Sequence, residues 1–137
     1  MTLDSHIDPD RGIITTRVKG RTSAAEVLAH QEVLADDPAF DPDFHHLFDL
    51  TEAETLEISS EQIRSLASVS IFSPSSRRAV VAPRDLLYGL SRMYEGFRNL
   101  AQDRLQIFRS RSEALAWLES EPESDETSEE RARPEDD

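Results

Sequence analysis

The segment 84–101 has the residue types and the spacing to bind a small amphipathic molecule. Its apolar residues recur at helical spacing, which predicts a long helix, and Gly89 and Gly96 lie one heptad apart beside that stripe. Each glycine costs about 1 kcal/mol relative to alanine in a helix interior, so we expect a backbone or a ligand to approach this flank closely. An anionic head group could meet Arg92 while an apolar chain contacts Met93. The candidate ligand-binding residues of this helix are Tyr88, Gly89, Arg92, Met93 and Gly96.

The same segment also has a purely structural interpretation. An apolar stripe at helical spacing packs in a core more often than it lines a pocket. In that interpretation Met93 and Phe97 are core residues, and Arg92 pairs with an acid.

Asp49 is a further candidate ligand-binding residue, because it lies near the end of a predicted strand. Open α/β sheets bind ligands at the carboxyl ends of their parallel strands. The chain contains no glycine-rich phosphate loop and no nucleophile elbow. It has no cysteine, and its four histidines lack the spacing of a metal site. We therefore predict no catalytic residue, no metal site and no cofactor, and we expect that the protein is not an enzyme.

The elements that hold these residues alternate between strands and helices. Serine followed three residues later by glutamate or glutamine forms a capping box, which predicts helices opening at 23–26, 59–62 and 110–113. Apolar or β-branched runs between turns predict strands at 3–7, 13–18, 46–50, 78–82 and 104–108. We expect Gly20 to end the second strand. The run 78–82 is apolar after its first residue, which favours a central parallel strand buried on both faces.

The resulting order, β-β-α-β-α-β-α-β-α, predicts an α/β fold with four helices. Its sheet should be mostly parallel with right-handed crossovers, and an antiparallel hairpin strand should form the N-terminal edge. A length of 137 residues suits one domain, which we place at residues 1–119. Residues 120–137 carry nine acids, two arginines and no aromatic or large aliphatic side chain, so we predict a disordered acidic tail there.

Composition narrows the possible partners and the compartment. A formal net charge of −13 disfavours nonspecific nucleic-acid binding, which depends on neutralising phosphates. The arginine-rich segment 77–111 is expected to pair with acids or face water, although it could bind an anion locally. No stretch approaches the roughly 18 apolar residues of a membrane span, and the N-terminus has no signal-peptide pattern. We expect a cytoplasmic protein.

Several stretches resemble the STAS fold of anti-sigma-factor antagonists, and in particular its SpoIIAA-like branch, also described as STAS/SEC14-like. They are RAVVAPRD at 78–85, YGLSRMY at 88–94, IFR at 107–109 and EALAWL at 113–118. The resemblance covers about residues 3–119 and is generic in its N-terminal half. It implies a bacterial, non-enzymatic domain that commonly self-associates. The related SEC14-type lipid-exchange domains imply a small apolar ligand as another possibility.

The resemblance also suggests a phosphorylation site. In phosphorylation-switched members, an Asp-Ser-Ser-Gly motif opens a helix and its serine accepts phosphate from a kinase. Ser59 and Ser60 lie at the matching place and are possible phosphoacceptors, but Ile58 and Glu61 replace the aspartate and the glycine. The charge of Glu61 would repel a phosphate there. The structural alternative is that Ser59 or Ser60 only caps the helix.

Two functions follow from these observations. The leading one is a non-enzymatic STAS-type regulatory or protein-interaction module, forming a homodimer and binding an unidentified protein partner. The alternative is a binding or carrier module for a lipid or other small amphipathic ligand. A filled core would favour the first function, and an apolar cavity of several hundred Å³ would favour the second.

Overall fold

Five strands and four helices follow one another in the predicted order. The structure is a computed structural model that describes residues 2–67, 70–99 and 104–120. The predicted tail therefore lies outside the described residues, apart from Ser120. The elements are β1 (Thr2–Asp8), β2 (Ile13–Ser23), α1 (Ala24–Ala35), β3 (His45–Glu57), α2 (Ser60–Ala67), β4 (Arg77–Val81), α3 (Asp85–Asn99), β5 (Arg104–Phe108) and α4 (Arg111–Leu118).

The strands form one sheet in the order β1-β2-β3-β4-β5. β1 pairs antiparallel with β2 through a turn that contains Gly12 at a φ of 69°, and every other pair is parallel. This arrangement confirms the predicted α/β fold with an antiparallel N-terminal edge strand. It places the carboxyl ends of β2 to β5 along the same edge of the sheet.

Serine side chains fix where three of the helices begin, as the sequence predicts. The hydroxyl of Ser23 accepts a hydrogen bond from the backbone N–H of Glu26, whose carboxylate accepts one from the Ser23 N–H in return. Ser59 and Gln62 form the same reciprocal pair at α2. At α4 the Ser110 hydroxyl accepts from the N–H of Glu113 at 3.1 Å. Each cap satisfies backbone donors that the first helical turn leaves unpaired.

Two strands, β2 and β3, are longer than predicted by several residues, and the role expected for Gly20 is wrong. β2 continues through Gly20, which has a φ of 74°, as far as Ser23. The pairing of β2 with β3 shifts register on both sides of this glycine. Because the two strands keep pairing beyond these irregularities, β3 also extends to Glu57 rather than ending at residue 50.

Helices cover both faces of the sheet. Ala114 and Leu118 of α4 pack on one face, against Leu47 and Ala79. The opposite face packs against the other three helices, through buried residues that include Val27, Leu66, Leu87, Val80 and Leu105. All five residues of β4 are buried, as predicted for a central parallel strand. β4 therefore packs against both layers of helices, one on each face of the sheet.

Truncating a buried valine of β4 tests this central position. Val81 is 1% exposed, so Val81→Ala should lower the free energy of unfolding by about 1.5–3 kcal/mol through lost burial and an imperfectly closed cavity. The matched control is Val33→Ala on α1, where the valine is 69% exposed and alanine is the better helix former. Urea unfolding of both variants measures the difference. Equal losses of stability would contradict the assignment of β4 as the buried centre.

Candidate functional site

A cavity of about 110 Å³ lies between the sheet and the helices α1, α2 and α3. From β3 it is lined by alternate residues, His46, Phe48 and Leu50, because side chains of one strand point to one face every second position. The helices contribute mainly Val27, Leu66, Leu90 and Tyr94. The wall is apolar over most of its surface, and its polar members are Gln31, His46, Ser70, Arg78, Ser91 and the Tyr94 hydroxyl.

The register between β3 and β4 brings two polar residues of the wall together. His46 is the direct cross-strand partner of Arg78, and Phe48 is the partner of Val80. Nη1 of the Arg78 guanidinium donates a hydrogen bond to the Ser70 hydroxyl at 3.2 Å. We call His46, Arg78 and Ser70 the polar end of the cavity.

A chain of hydrogen bonds leads from the polar end across three strands to α1. His46 Nε2 lies 2.9 Å from Thr16 Oγ1, which lies 2.7 Å from Ser5 Oγ. Ser5 Oγ in turn lies 2.6 Å from Nε2 of His30. We call these four residues the His30–His46 chain. Hydroxyl groups both donate and accept, so the bonds can run in either direction along the chain.

Both histidines of the chain are neutral near pH 7. Burial, reinforced by the nearby charge of Arg78, lowers the pKa of His46 to about 3. Burial also lowers the pKa of His30, against a smaller opposing effect of Asp4. A neutral imidazole donates from one nitrogen and accepts at the other. The direction of the chain therefore decides which nitrogen of His46 carries the proton.

The residues predicted to bind a ligand on α3 do not line the cavity. Of the described residues of this helix, Leu90, Ser91 and Tyr94 face it, whereas the predicted set lies on other faces. That set comprises Tyr88, Gly89, Arg92, Met93 and Gly96. The buried stripe of α3 includes Leu87, Ser91 and Arg98, so two of its members are polar. Because polar residues are expected at the surface, the hydropathy pattern predicted that a neighbouring face of α3 is buried.

The two glycines of α3 have no close neighbour in the described part of the chain. A Cβ built on Gly89 or Gly96 would meet nothing within 4 Å. The expectation of a close approach on this flank is therefore wrong for the described residues. Arg92 pairs with Glu95 at 2.8 Å, as the structural alternative proposed. Met93 is 40% exposed and so belongs to neither the core nor the cavity wall.

Asp49 lies at a different place, in an open cleft of about 400 Å³ beside the carboxyl ends of the strands. Its carboxylate accepts from the backbone N–H of Thr51 at 2.9 Å and from the Thr51 hydroxyl. It also accepts a hydrogen bond from Nη1 of Arg111 at 2.8 Å. Asp49 is buried, and this ion pair ties the start of α4 to β3. The expectation that Asp49 lies near the end of its own strand is wrong, because β3 continues to Glu57; it is the end of β4, at Val81, that lies beside Asp49. Its present contacts are structural, and a ligand-binding role stays a prediction.

Ser59 is the N-cap of α2, and Ser60 is the first residue of that helix. Both serines are exposed on the surface of the protein. The cap uses the Ser59 hydroxyl, which accepts the N–H of Gln62 at 3.1 Å. Phosphorylation of either serine remains a prediction.

Sequence reasoning did not select the residues of the polar end or of the His30–His46 chain as site residues. One signal was present, because Arg78 opens an apolar run predicted to be buried on both faces. Histidine, serine and threonine at the other positions carry no such signal. Their contact depends on the register of three strands and on the position of α1.

Within residues 2–67, 70–99 and 104–120, no group of three or more metal-binding side chains comes together. No helix in this part of the chain is long and apolar enough to cross a membrane.

The low pKa of His46 predicts a pH-dependent contribution to stability. The unfolded chain takes up a proton near pH 6.5 and the folded chain only near pH 3, so this contribution is complete above pH 6.5 and is lost as the pH falls towards 3. When the pH falls from 7 to 5, the free energy of unfolding of wild type should therefore decrease by about 2 kcal/mol more than that of His46→Gln. Urea titrations at the two pH values measure this difference. Parallel losses in both proteins would show that His46 is not held neutral.

Comparison with known proteins shows that this chain resembles a solved structure in its fold. A scan against protein-family models gives no match, and a search of curated proteins gives no significant match. Among solved structures, the chain is similar to an uncharacterized protein of the DUF3478 family with a SpoIIAA-like fold, from Shewanella loihica PV-4. The identity is 18%, the TM-score is 0.54, and the match covers 85% of this chain and 92% of the other. With its mixed five-stranded sheet and four helices, the chain therefore has the SpoIIAA-like, STAS-type fold.

Proposed function

We propose that this protein is a non-enzymatic binding module for a small amphipathic ligand. The observation that carries the proposal is the cavity between the sheet and the helices α1, α2 and α3. Its wall is mostly apolar and carries a few polar groups, three of which form the polar end. Small-molecule sites in proteins commonly have this composition.

The size of the cavity limits the ligand. A volume of about 110 Å³ is smaller than the several hundred Å³ expected from the sequence for this function, and it is below the roughly 300–1,000 Å³ of typical drug-sized sites. An engineered cavity of about 150 Å³ is nevertheless large enough to bind benzene. This cavity is smaller and is partly open to solvent, so in this conformation it would enclose part of an eight-carbon chain and leave the rest outside. A larger lipid would need the helices to move apart.

Binding of two eight-carbon probes tests the proposal. We expect sodium octanoate, 1-octanol or both to bind and to shift the amide resonances of residues that line the cavity, such as Val80 and Leu105. Ser91→Leu fills the cavity from α3, where Ser91 is 7% exposed, so it should weaken binding at least about tenfold, equivalent to 1.4 kcal/mol. Heteronuclear NMR titration measures both effects.

The matched control for that test lies on the same helix. Met93→Leu conserves volume at a position that is 40% exposed and outside the cavity wall. Its affinity for the probes should stay within about twofold of wild type. If neither probe binds wild type, or if Ser91→Leu and Met93→Leu bind alike, the cavity is not a ligand site.

The fold supports a second candidate, a STAS-type regulatory module that forms a homodimer and binds a protein partner. Exposure of Ser59 and Ser60 at the start of α2 favours it, because a modifying enzyme could reach their hydroxyl groups. A phosphate on Ser59 would replace the present cap with a stronger negative charge beside Glu61. Phosphopeptide mapping of protein from its own host should then find phosphate at Ser59 or Ser60. Unmodified serines in both growing and starved cells would count against this role.

A further inference from the structure

We infer that the polar end of the cavity is a subsite for a carboxylate, so that the ligand is a small monocarboxylic acid with an apolar body. This inference rests on the proposed function, since it names the chemical class of the ligand in the same cavity. The groups that would recognise the carboxylate are the guanidinium of Arg78 and the imidazole of His46.

Arg78 has the chemistry and the position for this role. It is 6% exposed, it follows Arg77 as the second residue of β4, and its side chain borders the cavity. A guanidinium keeps its charge in a buried site and offers parallel N–H donors that match the two oxygens of a carboxylate. Among the described residues of the cavity wall there is one cation and no carboxylate. Arg78 is therefore the positive charge that these described residues offer to an anion.

His46 would add a neutral donor beside that charge. Its Nε2 already lies 2.9 Å from Thr16, so Nδ1 is the nitrogen that a ligand would engage. When the Thr16 hydroxyl donates to Nε2, Nδ1 carries the proton and can donate to a carboxylate oxygen. The His30–His46 chain allows this direction throughout, with Ser5 donating to Thr16 and His30 donating to Ser5. Thr16, Ser5 and His30 are thus positioning residues that allow His46 to adopt the donating form.

The charges at the polar end favour a carboxylate over a phosphate monoester. A carboxylate carries one negative charge at pH 7, which one guanidinium can balance. A phosphate monoester carries nearly two, and the excess would be buried in an apolar wall without a second cation. His46 does not supply that cation, because it stays neutral until about pH 3.

Three probes with the same apolar chain test the inference: octanoate, 1-octanol and octyl phosphate. We expect octanoate to bind wild type at least about tenfold more tightly than either of the others. Arg78→Met should remove this preference while leaving the affinity for 1-octanol within about twofold. Arg17→Met is the matched control, because Arg17 is exposed and borders the open cleft rather than the cavity. It should keep the full preference.

The outcomes separate this inference from the proposed function. If 1-octanol or octyl phosphate binds wild type as tightly as octanoate, the cavity binds ligands but the carboxylate subsite is wrong. If none of the three binds, the proposed function itself is wrong. Should Arg78→Met fail to fold, Arg78→Lys replaces it, since lysine keeps the charge but not the parallel donors. The preference for octanoate should then fall at least about threefold, and an unchanged preference would overturn the inference.

The role of the positioning residues can be tested by the protonation of the His46 ring, which a mere loss of stability would not change. The ¹⁵N shifts of the His46 ring report which nitrogen carries the proton. Octanoate should select the form protonated at Nδ1 in wild type and lose that selection in Thr16→Val, where the hydroxyl that donates to Nε2 is absent. Ring shifts that do not respond to octanoate in wild type would overturn the role of the chain.

Discussion

The burial of β4 on both faces fixes the arrangement of the rest of the molecule. This strand is covered by α4 on one side and by α1, α2 and α3 on the other. Each of its side chains therefore packs against a layer of helices or a neighbouring strand and not against water. The strand nevertheless begins with Arg77 and Arg78. Alternation sends one guanidinium to each face, so both layers must accommodate a buried charge.

Buried arginines in this protein serve mainly to complete helix ends. Arg77 donates to the carbonyl oxygen of Trp117 at 2.6 Å and to the Ser120 hydroxyl at 2.7 Å, at the end of α4. Arg98 donates to the Ala67 carbonyl oxygen at the end of α2. Terminal carbonyl groups lack helical partners and carry partial negative charge, so a cation there is stabilising. Arg78 differs from these two residues because it borders a cavity instead of a helix end.

Most of the fold could be predicted because its signals are local. The capping residues Ser23, Ser59 and Ser110 mark helix starts within four residues of sequence, and the last strand has the predicted bounds. The cavity could not be predicted, since it depends on which face of α3 is buried. That face carries Ser91 and Arg98, whose polarity pointed to the surface. The arginines of 77–111 were expected to pair with acids or face water, yet several donate to backbone carbonyl groups.

Native mass spectrometry of the protein, isolated gently from its own host, tests the central claim most directly. We expect a discrete extra mass that organic solvent removes and that behaves as a small carboxylic acid. Recombinant protein loaded with octanoate shows whether such a complex survives the measurement. A host-derived protein that is bare, under conditions in which the octanoate complex persists, would contradict the claim that this fold serves here as a binding module for such a ligand.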